Sequence, residues 1–159
     1  MIVLIKYLPL SYEPLKDHLV KKGDVIVSRM NTKELVGAAA YVWNVQENTY
    51  LPDRLWRVDY KKNVNPIFLW NLLISPEIKE EIRKVAAGTS GSMKNISKKL
   101  FLEIETKEIP VNLQNKFADK VKLIDKSKFV VQKSIKKSFE MYSKVLLLQD
   151  FRKRGEKNV

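Results

Sequence analysis

Ala86-Ala87-Gly88-Thr89-Ser90-Gly91-Ser92-Met93-Lys94-Asn95-Ile96-Ser97 is rich in glycine and serine and carries no acid, and the segments flanking it set the fold. Ahead of it, Ser75-Pro76 opens a helix with Glu77, Glu80 and Glu81 in its early turns, where the helix dipole favours carboxylates. Gly88 is placed to end that helix. Behind it, Phe101-Leu102-Glu103-Ile104-Glu105 alternates apolar with acidic side chains and reads as a strand, closed off by Pro110. A loop of this composition between a helix and a strand offers backbone and hydroxyl donors to an anion. It fits equally a structural loop fixed by Asn95 or Ser97 acting as a helix cap.

Further upstream the chain reads as short strands and one apolar helix. Met1-Ile2-Val3-Leu4-Ile5 is a first strand. Asp24-Val25-Ile26-Val27-Ser28 follows the turn-like Lys21-Lys22-Gly23, Ala38 to Val45 is small and β-branched, and Leu55 to Tyr60 alternates. Asn65 is a helix cap and Pro66 takes the first helical position, after which Ile67 to Ile74 is apolar almost all round and belongs in a core. Trp43, Trp56 and Trp70 lie within apolar segments and read as core residues, not as platforms for bases. The expected class is α+β: a small mixed sheet with packed helices, over residues 1–111.

Downstream comes one long helix, from about Leu113 to Phe151, in a segment spanning 112–152 with a basic tail at 153–159. Phe117, Val121, Ile124, Val131, Ile135, Tyr142 and Val145 keep one seam by steps of three and four, with Lys128 and Ser138 at two seam positions. Nearly forty residues at ~1.5 Å per residue reach about 60 Å, more than a small domain covers. The seam therefore calls for a second helix from another chain, unless the helix folds back onto its own domain.

The net charge is +12 and the sequence pI near 9.8, which attracts polyanions. Between Leu113 and Arg154, twelve Lys and Arg face four Asp and Glu, so the excess gathers on the helix, as a docking surface or a solvated face. With no cysteine and the single His18, beside Asp17 and read as exposed, disulfides and thiolate metal sites are excluded and only carboxylates remain as metal ligands. No cofactor is expected. The apolar opening meets Lys6 and Pro9 too soon for a secretory signal, and no apolar run approaches a membrane span of about 18 residues, so a cytoplasmic setting is expected.

Five short motifs occur in order: Leu19-x-Lys21-Lys22-Gly23-Asp24-Val25-Ile26-Val27-Ser28-Arg29; Tyr50-Leu51-x-Asp53-Arg54-Leu55-Trp56-Arg57; Asn65-Pro66-x-Phe68-Leu69; Gly88-Thr89-Ser90-Gly91-Ser92-x-Lys94-Asn95-Ile96-Ser97; and Ile109-Pro110-Val111 with Gln114 opening the helix. Together they resemble the specificity subunit of type I restriction-modification enzymes over roughly residues 19 to 150. The resemblance implies a target-recognition domain followed by a spacer helix that packs antiparallel against another. It implies double-stranded DNA, methyltransferase subunits and the restriction subunit as partners, and no catalysis by the chain itself. With one recognition domain, shortened at its start, and one helix, the sequence resembles half of such a subunit, pairing with a second copy or another half. A truncated remnant that only dimerises is the blander alternative.

Two sets of residues are candidates for DNA contact. Arg29, Asn31, Thr32 and Lys33 combine a guanidinium, an amide, a hydroxyl and an ammonium after a strand, groups that bind phosphates and base edges; they also suit an ordinary polar turn. Ser90, Ser92, Lys94 and Asn95 form the second set, small residues admitting the backbone to phosphate and Lys94 adding charge. The enzymatic alternative is a Mg²⁺-dependent nuclease, because Pro52-Asp53 with Asp59-Tyr60-Lys61 matches the pattern Pro-Asp, spacer, Asp-x-Lys. The spacer is short: one alternating strand fills the space where a hairpin belongs. Cofactor loops rich in glycine, a serine nucleophile elbow and an Asn-Pro-Pro-aromatic methyltransferase motif are absent from the sequence.

Overall fold

The computed structural model describes residues 9, 11, 13–88 and 93–155, with side chains as far as Lys144. The proposed strand at Met1–Ile5 lies outside them, as does the basic tail from residue 156. The chain divides into two compact units, Met1–Asn115 and Lys116–Val159. In chain order the first holds β1 (Val25–Ser28), β2 (Met30–Asn31), β3 (Ala39–Tyr41), β4 (Leu55–Arg57), α1 (Pro66–Leu73), α2 (Pro76–Val85), β5 (Lys94–Asn95) and α3 (Lys98–Leu102). The long helix α4 (Val111–Gly155) starts in the first unit and makes up most of the second.

β1 is the centre of a three-stranded sheet ordered β3-β1-β4, with Val27 opposite both Ala39 and Trp56. Both pairings are antiparallel, as is the separate β2–β5 ribbon, so the expected mixed sheet is replaced by two antiparallel ones. The link from β1 to β3, residues 29–38, is shorter than the dozen or more residues, normally including a helix, that a parallel crossover between neighbouring strands requires. Two strands are also shorter than their sequence patterns: of Ala38 to Val45 only Ala39–Tyr41 is strand, and of Leu55 to Tyr60 only Leu55–Arg57.

Val25 and Val27 are fully buried and project into a core completed by Val36, Leu73, Ile78, Ile82 and Ile96. Asn65 caps α1 by accepting from the Ile67 and Phe68 amides, with Pro66 next to it, and Ser75 with Pro76 repeats the arrangement on α2 through the Ile78 amide. α1 is less enclosed than its sequence implies, with only Ile67 and Leu73 buried. Trp70 is half-buried, its indole N–H donating to the Ala39 carbonyl at 3.3 Å while its ring stacks on Tyr41 and meets Trp43 edge-on. α2 is strongly two-faced and buries Ile78 and Ile82. Gly37, at φ +75°, passes so close to Ile82 that a Cβ there would overlap its side chain.

Two sequence expectations around the glycine-serine loop are corrected. α2 ends at Val85, three residues before Gly88, and Ala87 pairs with Asn95 as an extended bridge. The segment expected to form a strand at Phe101–Glu105 instead contributes to helix α3, which begins at Lys98 because Ser97 accepts from the Leu100 amide. Phe101 and Ile104, three residues apart, both pack against the core while Leu102 is 70% exposed; the spacing is helical, and the alternating glutamates only imitate a strand. Of the two candidate caps Ser97 is the one used, and Asn95 is a strand residue.

α4 begins two residues earlier and ends four residues later than its apolar pattern indicates. Its first turn is anchored in the first unit by Gln114, which is buried. The Gln114 carboxamide donates to the Ile109 carbonyl at 2.7 Å and the Asn63 carbonyl at 3.5 Å, and its oxygen accepts from the Asn65 amide at 2.9 Å. The Asn65 side chain reaches Asn115 at 2.8 Å, so the residue capping α1 also holds the start of α4.

Candidate nucleic-acid interface

The two candidate sets, some sixty positions apart in sequence, are brought side by side. β2 pairs with β5 so that Met30 faces Asn95 and Asn31 faces Lys94. The ribbon continues on one side as the Ile96 amide donates to the Arg29 carbonyl at 2.9 Å, and on the other as Asn95 exchanges backbone hydrogen bonds with Ala87 at 2.9 and 3.0 Å. Arg29–Asn31, Lys94–Ile96 and Ala87 thus form one narrow surface at the neck of the glycine-serine loop. Thr89 to Ser92 lie outside the described residues, and Ser90 and Ser92 with them. The neck is fixed: Gly88 has φ +155°, a Cβ on it would sit 2.7 Å from the Met93 carbonyl, and its own carbonyl accepts from Lys94 Nζ at 2.7 Å.

Within this surface the side chains divide into presenters and holders. Arg29 lies over Trp56, its guanidinium carbon 5.9 Å from the ring centroid, and Phe101 meets the same indole at a tilt, 5.9 Å between centroids. Arg29 Nε is buried and has no hydrogen-bond partner among the described residues. Asn31 spends its amide on the turn itself, accepting from the Thr32 amide at 2.9 Å and donating to Ser28 Oγ at 3.3 Å. The Thr32 carbonyl accepts from the Leu35 and Val36 amides, and its hydroxyl bonds the Glu34 carboxyl. That carboxyl is held below the usual carboxylate range by its own backbone amide, by Thr32, and by the nearby charges of Lys33 and Arg83. A charged Glu34 beside exposed Lys33 offsets much of that cation's field. Lys94 keeps two of its three ammonium donors after bonding Gly88, and Asn95 is exposed.

Sequence reading missed Trp56 as part of this surface, having placed it simply in the core; it is half-buried, with one face given to Arg29. The signal was the strand pattern at Leu55–Arg57, since pairing it with β1 carries Trp56 to the end of the sheet where Arg29 leaves. It also passed over Lys98, exposed two residues beyond Ile96.

β4 separates Asp53 from Asp59, and the Asp59 side chain is 98% exposed and pairs with Arg57 at 3.9 Å. Among the described residues no three His, Cys, Asp or Glu stand close enough to hold a metal ion. His18 is exposed as expected.

On α4, Ile124, Val131, Ile135 and Tyr142 are all more than half exposed, Phe117 is 41% exposed and Val121 is half-buried. The Val145 side chain lies outside the described residues. The apolar surface is wider than the seam, because Leu123, Phe129, Val130, Phe139 and Met141 are also exposed. Val131, Ile135, Ser138 and Tyr142 share a shallow groove with Val130 and Phe139. Among the described residues no helix is long and apolar enough to cross a membrane.

A scan against models of known protein families finds no match for this chain, and a search of curated proteins finds none.

Proposed function

We propose that the chain is a DNA-recognition module of the type I restriction-modification kind, reading one half-site and joining its partners through the long helix, without chemistry of its own. The β2–β5 ribbon is the observation that carries this reading. It places Arg29 and Lys94, one cation from each candidate set, on one support beside a loop whose neck is geometrically fixed. Duplex DNA is the polyanion suited to such a support: phosphates to Lys94 and the loop backbone, a base edge to the guanidinium held on Trp56. The exposed apolar seam of α4 supplies the coiled-coil surface for a second copy or another specificity half. Methyltransferase subunits, and through them a restriction subunit, are the remaining partners, with the basic face around Lys133, Lys136 and Lys137 as the place for their contacts.

The test is duplex binding by the purified chain across a salt series. Affinity should fall by ~0.9 log units per log unit of salt for each phosphate neutralised, and no cleavage or methylation should follow addition of Mg²⁺ or a methyl donor. Mixing with the methyltransferase of the same genome should give a larger complex protecting a two-part site. Duplex affinity that ignores salt, or a chain that no methyltransferase retains, overturns the proposal.

A further inference from the structure

Among the described residues, Arg29 Nε is the one buried side-chain polar atom without a hydrogen-bond partner. A guanidinium offers a partner two kinds of forked edge, Nε with one Nη nitrogen from the side, or the Nη pair from its end. Burial of Nε closes the first. Neither Nη nitrogen is bonded to a described residue, so the end-on fork is the edge left for a ligand, and contact with Trp56 limits how that fork can turn. An end-on fork of restricted orientation selects a pair of acceptors lying side by side in one plane.

The support that carries Arg29 has a shape of its own. A two-stranded ribbon is one of the forms that the major groove of a duplex admits. Side chains alternate between the sides of the β2–β5 ribbon, which sets Arg29 with Asn31 and Lys94 and leaves Met30 and Asn95 on the other side. Asn31, the amide that would pair with adenine, is already consumed by the Thr32 amide and Ser28 Oγ. Phosphates have their own cations nearby: Lys94 across the ribbon, and exposed Arg54, whose carbonyl accepts from the Arg29 amide at 3.0 Å. In the major groove a side-by-side pair of acceptors, O6 and N7, belongs to guanine alone. We propose that the ribbon enters the major groove and that Arg29 reads a guanine there, its Nη nitrogens donating to O6 and N7. This inference rests on the DNA-recognition reading above and deepens it by naming the groove and the base.

The experiment selects duplexes from a randomised pool with the full chain at low salt, then measures binding to the selected site with single bases replaced, circular dichroism confirming that Arg29→Lys is folded. At least one guanine of the site should be required. At that position 7-deazaguanine, which lacks the N7 acceptor, should weaken the parent about tenfold, whereas inosine, which keeps N7 and O6 and loses only the minor-groove amine, should stay within about twofold. R29K keeps the charge without the planar fork and should bind guanine and 7-deazaguanine alike. A parent indifferent to 7-deazaguanine, or an R29K chain that still requires the guanine, makes Arg29 a phosphate contact and overturns this inference while DNA recognition stands. A loss on inosine instead of 7-deazaguanine moves the contact to the minor groove and overturns it equally. A parent that binds no duplex at any salt overturns the DNA-recognition reading and this inference together.

Discussion

Arg29 shows how a single side chain is prepared before any partner arrives. The residue is half-buried, its Nε is buried without a partner among the described residues, and its guanidinium is held over Trp56, so less rotamer freedom remains to be lost on binding. Replacing Arg29 with Ala should flatten discrimination between duplexes, at a cost of about 1–3 kcal/mol for the favoured one, whereas Lys94→Ala should weaken all duplexes alike and lower the salt slope by about one phosphate. Competition binding against a panel of sequences separates the two, and equal losses on every duplex for both variants would remove Arg29 from base reading. Gly37 is fixed for a different reason. At φ +75° and against Ile82, an added methyl meets both backbone strain and a filled core, so Gly37→Ala should cost about 2–4 kcal/mol in chemical denaturation. A loss under about 0.5 kcal/mol would mean that Ile82 moves aside freely.

Between elements, the firmest polar link is Gln114, which satisfies the Asn65 amide and the Ile109 carbonyl at once. Gln114→Ala leaves both without a protein partner in a buried place and should lower stability by about 1–3 kcal/mol, read as an earlier urea midpoint with an unchanged slope. An unaltered midpoint would show that water replaces the carboxamide. This junction was half legible: Asn65-Pro66 as a helix start and Gln114 at a helix opening are sequence signals, but that one caps the other requires the fold. The strand at Val25–Ser28 was legible because its valines alternate into a single core, and the capped helices because Asn-Pro and Ser-Pro are local chemistry. α3 was not, since Phe101-Leu102-Glu103-Ile104-Glu105 satisfies a two-residue period and only the depth of Phe101 and Ile104 against exposed Leu102 reveals the helical one. Likewise both halves of the β2–β5 ribbon were visible as polar loops, while their pairing spans a separation that no local pattern encodes.

For the whole molecule, the decisive quantity is how much apolar surface α4 leaves in water. Ile135 is 63% and Phe139 72% exposed, in a helix of 45 residues about 67 Å long. If the seam pairs two copies as proposed, placing charges in it as I124D/I135D should cost several kcal/mol of association, and light scattering should find a dimeric parent but a monomeric or aggregated variant. A compact dimer that survives both substitutions would move the interface to the flanking face of Leu123, Phe129 and Val130. Lysines on the same helix, with the pairs Lys122–Asp119 and Lys136–Glu140, keep that surface from indiscriminate sticking.

A ribbon of two rungs has almost no stability of its own. β2 and β5 are held because Arg29 extends from β1 and Ile96 plugs the core, not because of what projects outward from them. Exposed positions such as Lys33, Asn95 and Lys98 are therefore free of folding duty, and a lineage carrying this chain can change them one substitution at a time without passing through unfolded intermediates. Chemical change is thus admitted at the outward positions of the ribbon while the scaffold beneath stays put.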